Sequence, residues 1–385
     1  MTPAEKKDYK RLQKHLDKMP VGFPATRSGV ELRILKSLFT PEQARIAACL
    51  THRFEPAEAI CQRAAEKGLA GSEDCRAALD EMARKGGIFK KKVNGLWHYA
   101  LVPFVIGMFE FQLNRLTRQL YEDTARYFRE GFALSYLSTP RPQMRVIPVE
   151  QSIDETQHIA TYDEIRKIIE DAGDRIGVAE CICRKGKDLA DDPCRATDRR
   201  ELCFGFRDYF DTYHREGWLR KVDKAEALEI LARSEAEGLV LQATNEQHPQ
   251  AICACCGCCC GILGTLQNVP NRADFAAGNY RAQIDETACV GCGLCADRCH
   301  MDAILLRDKK AVVESKKCIG CGVCVPACNT GALTLMPKPE PVVPPETTED
   351  LYAAIEAETK PWDKVKTAFN ILRHMKISDI RALIR

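Results

Sequence analysis

Two stretches of this chain repeat one cysteine pattern. CVGCGLCADRCH begins at Cys289 and CIGCGVCVPACN begins at Cys318, and each reads C-x2-C-x2-C-x3-C. Four thiols held to one spacing, twice over, leave the intervening backbone little freedom. The remaining cysteines sharpen the constraint. There are 21 in 385 residues, an odd number, and the opening MTPAEKKDYKRLQKHLDKMP lacks the apolar core of a secretory signal. A disulfide framework therefore does not fit. Eighteen of the cysteines fall in three groups, 181–203, 253–260 and 289–328, and thiols clustered in a reducing compartment bind metal. Cys49, Cys61 and Cys75 lie scattered among helical stretches and read as buried apolar residues.

The repeat resembles the bacterial two-cluster ferredoxin, over about 55 residues at full spacing. Its flanks, QIDETACVG…DAILLRD and AVVESKKCIG…GALTLMP, fit two βαβ-like halves. The resemblance implies two [4Fe–4S] clusters, with the fourth ligand of each drawn from the other motif. Cluster one would then take Cys289, Cys292, Cys295 and Cys328, and cluster two Cys318, Cys321, Cys324 and Cys299. A pair of structural zinc sites is the alternative, since C-x2-C also suits zinc. One departure stands out: His300 and Asn329 occupy the places where that family usually has proline. Each restores a backbone N–H beside a ligand, which implies reduction potentials above those of the proline form.

The middle cysteines are less regular. Cys181, Cys183, Cys194 and Cys203 lie in ECICRKGKDLADDPCRATDRRELCFGF, with Arg184 and Lys185 placed to offset thiolate charge. ICACCGCCCG (252–261) carries six more, among which Cys253, Cys256 and Cys259 are again spaced C-x2-C-x2-C, while Cys255 and Cys258 offer an offset pair. The expectation is one or two further [4Fe–4S] clusters, built from that triplet and a thiol of the 181–203 group. A zinc site and a redox-active dithiol are the other readings. A CICR-like strand end followed by a CCGCCC-like run is similar to ferredoxin-fusion proteins of anaerobes, and that resemblance implies no particular activity.

The expected fold class is α+β and multidomain. Residues 1–20 read as a charged N-terminal helix. From 21 to 101, helical stretches precede IFKKKV and LWHYAL, joined by the hairpin signal Asn94-Gly95; this order resembles a winged-helix domain. Residues 102–137 read as a long helical connector and 138–265 as a small Cys-rich α/β domain. The ferredoxin unit covers 266–336, and 337–385 form a Pro-rich tether and helical tail.

Other chemistry finds little support. No glycine-rich phosphate loop is present, so flavin, nicotinamide and ATP are not implied. The eight histidines are dispersed, no H-E-x-x-H occurs, and no nucleophile–base pair can be assigned, so catalytic residues stay unknown. The longest apolar run, 99–111, is too short to span a bilayer. A net charge of +2 and an acidic candidate recognition helix, SEDCRAALDEMARKGG, make nucleic acid an unfavoured partner. The sequence thus reads as a cytoplasmic electron-transfer protein, or the electron-transfer subunit of a larger anaerobic oxidoreductase with redox-protein partners. A redox- or oxygen-sensing DNA-binding regulator is the alternative.

Overall fold

The computed structural model describes residues 1–153 and 160–374. Residues 375–385 of the expected tail lie outside the described residues.

α1 (Pro3–Leu16) opens on a capping box: Thr2 and Glu5 satisfy each other's backbone N–H groups. It is not a detached charged helix, because Tyr9, Leu12 and Leu16 are buried in the core that follows. α2 (Val30–Leu38), α3 (Pro41–Ala47), β1 (Glu55–Pro56), α4 (Ala57–Glu66) and α5 (Ser72–Arg84) form the rest of a helical unit. Thr40 caps α3 with Pro41 in its first turn, as its sequence suggests. β2 (Ile88–Val93) and β3 (Leu96–Leu101) form the hairpin, turning at Asn94 and Gly95, both with positive φ. β1 adds to β3, so the order is β1-β3-β2.

The connector is not one helix. Val105, Ile106 and Gly107 leave helical geometry, and the Glu110 carboxylate accepts from the Gly107 N–H at 2.7 Å. β-branched residues beside a glycine give a helix little to propagate from. A 3-10 helix spans Glu110–Arg115, and α-helix begins at α6 (Arg118–Tyr127), where the Thr117 hydroxyl caps Leu120 N–H, and runs through a wide turn into α7 (Ala133–Leu137).

The middle unit is one six-stranded antiparallel sheet, ordered β4-β8-β9-β6-β5-β7. In chain order it comprises β4 (Met144–Ile147), α8 (Ile165–Asp171), β5 (Ile176–Glu180), α9 (Ile182–Leu189), β6 (Glu201–Phe206), α10 (Arg207–Arg215), β7 (Arg220–Lys221), α11 (Lys224–Ala236), β8 (Val240–Thr244), β9 (Ala251–Cys255) and α12 (Gly261–Gln267). Strand alternation splits its side chains. Leu202, Phe204, Leu241, Ile252 and Ala254 pack beneath α8 and α11 in a closed core. Cys203, Cys253 and Cys255, at the alternate positions, turn to the opposite face, under the connector.

In the last folded unit β10 (Tyr280–Ile284) pairs with β13 (Leu333–Pro337), and β11 (Ile304–Arg307) pairs with β12 (Lys310–Val313); α13 (Leu294–Asp297) follows the first motif. The 337–350 tether is docked rather than free: Gln247 N–H donates to Pro345 O, and Val342 N–H to Asn279 Oδ1. α14 (Thr348–Glu358) buries Leu351 and Ile355, and α15 (Asp363–His374) ends the described chain. One continuous apolar core links the N-terminal helices, the connector, the cysteine-bearing loops and α14.

Candidate metal centres

The two ferredoxin-type loops are built alike. Gly291 and Gly320, at equivalent places, have φ of 70° and 77°. A Cβ at Gly291 would meet Lys309 O at 2.0 Å, and one at Gly320 would meet Tyr280 O at 2.2 Å. Only glycine lets each loop close against the facing backbone, the β11–β12 turn for Gly291 and β10 for Gly320. Across that contact Ala311 N–H points at Cys289 Sγ and Ala282 N–H at Cys318 Sγ, both at 3.4 Å. Backbone donors on the sulfurs are what a thiolate-bound cluster needs. Cys299 lines the same cavity as Cys318, Cys321 and Cys324, while Cys328 acts electrostatically on Cys295 along with Cys289. Burial raises the Cys321 thiol to about 12, so an open thiolate there needs a cation. These surroundings fit [4Fe–4S] clusters.

The positions after the fourth cysteines are not equivalent. Asn329 is exposed, whereas His300 reaches into the middle unit. Its Nδ1 accepts from Gly257 N–H at 3.3 Å, so Nε2 carries the proton it donates to Gly238 O at 2.9 Å. Gln267 Nε2 donates to His300 O at 2.8 Å. The N–H groups aimed at Cys299 sulfur are those of Ala303 and Met301.

The ten middle thiols separate into two groups. Cys194, Cys256, Cys258 and Cys259 converge, every sulfur within 4.8 Å of the others. Cys194 lies 3.6 Å from Cys256 and 3.9 Å from Cys258; Cys258 lies 3.5 Å from Cys256 and 3.7 Å from Cys259. The other six form a row, Cys183–Cys181–Cys203–Cys253–Cys255–Cys260, in which each thiol shifts the ionisation of its neighbour. The C-x2-C-x2-C triplet borders one cavity but divides between the two groups. Cys253 belongs to the row, because β9 pairs it with Cys203 of β6, whereas Cys256 and Cys259 stand in the turn beyond that strand. Cys181, Cys183 and Cys203 are in the row and Cys194 is not. Cys255 and Cys258, an offset C-x2-C pair in the sequence, fall in different groups, and Cys260, which no spacing singled out, joins the row; period-two alternation from Cys253 to Cys255 is the signal that places Cys255 there.

The row lines a cavity of ≈ 320 Å³ roofed by Ile106, Phe109, Tyr121 and Phe128 of the connector. Gly186 and Gly261 let that roof sit close, since a Cβ on either would strike the Tyr121 or Phe128 ring. Cys181 and Cys255 are held well below the ordinary thiol value by hydrogen bonds from their row neighbours, while Cys183, Cys203, Cys253 and Cys260 are pushed well above it. Six such thiols ionise together only around cations. Arg184 stands between the groups, 1% exposed. Its Nε lies 3.4 Å from Cys194 Sγ and its Nη1 donates to Ala254 O at 2.9 Å, but Nη2 has no partner among the described residues. Lys185, expected beside it, instead pairs with Glu180 at the surface. Glu110 also borders the cavity, and burial raises its carboxyl to about 8. Cys256 is lowered to about 5, chiefly by Cys259 and then by Arg184.

Residues 288–332 match the family model of the 4Fe-4S dicluster domain. No curated protein and no solved structure matches the chain. The chain thus carries a ferredoxin-type iron–sulfur domain, and its clustered cysteines support an electron-transfer role. Among the described residues, no helix is long and apolar enough to cross a membrane.

Proposed function

We propose that this protein carries electrons between a redox-protein partner and a third iron–sulfur centre. That centre is held by the six-thiol row, and the protein works within a larger anaerobic oxidoreductase. The observation carrying this reading is the His300 strap. The residue next to Cys299 is hydrogen-bonded to Gly257, inside the middle cysteine run. Cluster-bearing loops in direct contact allow short electron-transfer distances. Each cluster, when bound, takes up and returns a single electron.

The chain's own residues supply position and charge. Cys299 and Cys328 cross between the two motif loops. Arg184 borders the cavity, and its buried guanidinium, with no acceptor for Nη2 among the described residues, would offset the negative charge of a thiolate-ligated cluster held there. Val290, Leu294 and Leu306 are exposed near Cys292, and an apolar rim around an exposed ligand suits transient docking of a redox protein. The winged-helix-like unit serves as a protein-interaction module. Its hairpin lysines are engaged within the chain: Lys90 with Asp80 and Glu216, Lys91 with Asp208 and Glu349.

Iron and acid-labile sulfide counts on anaerobically purified protein test the reading. Wild-type protein should contain more than the eight sulfides of two cubanes, and Cys181→Ser/Cys203→Ser should lose the excess. Eight sulfides in both proteins would refute the third centre.

A further inference from the structure

The convergent group demands a different occupant from the row. A single ion with four thiolates at about 2.3 Å sets the sulfurs at tetrahedral corners, about 3.8 Å apart. Four of the six separations, 3.5, 3.6, 3.7 and 3.9 Å, fall on that edge length, and all six are within 4.8 Å. A cubane cannot accept such sulfurs. Each of its terminal thiolates sits on a separate iron and points away from the centre, so the sulfurs stand much further apart. The molecule contains its own contrast. Among the described residues no three ferredoxin-type cysteines, and no three of the row, come within 4.8 Å of one another as these four do.

The chemistry agrees with the geometry. Three ligands come from one turn, Cys256, Cys258 and Cys259, and the fourth from Cys194 across the loop. Four thiolates on a divalent ion leave a net charge of −2, and the buried Arg184 guanidinium, with Nε on Cys194 Sγ, offsets part of it. The group offers no open position for a substrate, as in closed structural sites. All four corners are thiolates, which selects a soft-binding tetrahedral ion.

We infer that Cys194, Cys256, Cys258 and Cys259 bind one tetrahedral zinc or iron ion, without sulfide, and not a cluster. The ion pins the 256–259 turn to the segment carrying Cys194. It thereby positions Cys255 and Cys260, which flank that turn and belong to the neighbouring row. This inference stands whether or not the row holds a cluster, because it concerns a metal that brings no sulfide.

Metal analysis of the anaerobic full-length protein, with X-ray absorption at the zinc edge and Mössbauer spectra of iron-57 protein, tests it. The expected result is one ion per chain with four sulfurs at about 2.3 Å and no metal neighbour. It should be seen as zinc in one arm or as an isolated iron in the other. Cys194→Ser/Cys258→Ser should remove that signature, and Cys181→Ser/Cys203→Ser should retain it. Absence of the signature from wild-type protein in both arms overturns the inference, even if the variants fail to fold. Its persistence in Cys194→Ser/Cys258→Ser also overturns it. Failure of the third centre would read differently, as a normal isolated ion with only eight sulfides.

Discussion

His300 turns a departure from the usual dicluster motif into a joint. Its ring satisfies one N–H and one C=O belonging to two different segments, Gly257 and Gly238. Removing the ring leaves both backbone groups without a partner. His300→Ala should therefore cost on the order of 2 kcal/mol in denaturant stability, with iron and sulfide of the ferredoxin domain retained. Unchanged stability would mean that water replaces the ring at no cost. The same residue shows what spacing reveals. Cysteine intervals identified the dicluster loops, because a repeated C-x2-C-x2-C-x3-C has few geometric solutions. The identical interval at Cys253, Cys256 and Cys259 is divided between two groups of thiols, because the chain changes from strand to turn between the first and second members. A count of residues between thiols carries no record of that change.

Among the elements, β9 decides the division of the middle cysteines. Its alternation sends Cys253 and Cys255 to the cavity, while Ile252 and Ala254 enter the core under α8 and α11. The strand was hidden in the sequence by its cysteines, which read as ligands before they read as a period-two pattern. The helices of the N-terminal unit were legible from their apolar spacing and caps. The connector was not, because its apolar side chains serve as a roof over thiols rather than as one stripe of a helix. α11 carries a second testable feature. Glu235 is buried, and its Oε1 accepts from Glu150 N–H at 3.0 Å. Burial raises its carboxyl to about 7 from an ordinary 4.5. The folded chain thus keeps a proton that the unfolded chain has released. This contribution to stability is present in full below about pH 4.5 and declines as pH rises through 7. Glu235→Gln abolishes the decline. Relative to wild type the variant should gain on the order of 2 kcal/mol between pH 5 and pH 8, read from urea midpoints at each pH. A parallel pH dependence in the two proteins would contradict this.

At the scale of the whole molecule, one face of the middle sheet keeps a core of its own, while its other face, the N-terminal helices, the connector and the cysteine-bearing loops are joined in one apolar core. The connector roofs the thiol cavity, α14 packs into that core, and the ferredoxin loop is strapped to the middle sheet through His300 and Arg298, whose Nη2 donates to Glu235 O at 3.0 Å. Such an arrangement fixes distances between metal centres, which a chain of loosely tethered domains cannot do. It suits a short internal path for electrons, from the exposed rim at Cys292 to the buried row. Reductive titration by coulometry under anaerobic conditions tests that central claim most directly. Wild-type protein should take up more than the two electrons of the dicluster domain, and Cys181→Ser/Cys203→Ser should take up fewer than wild type. Saturation of both proteins at two electrons would contradict the account.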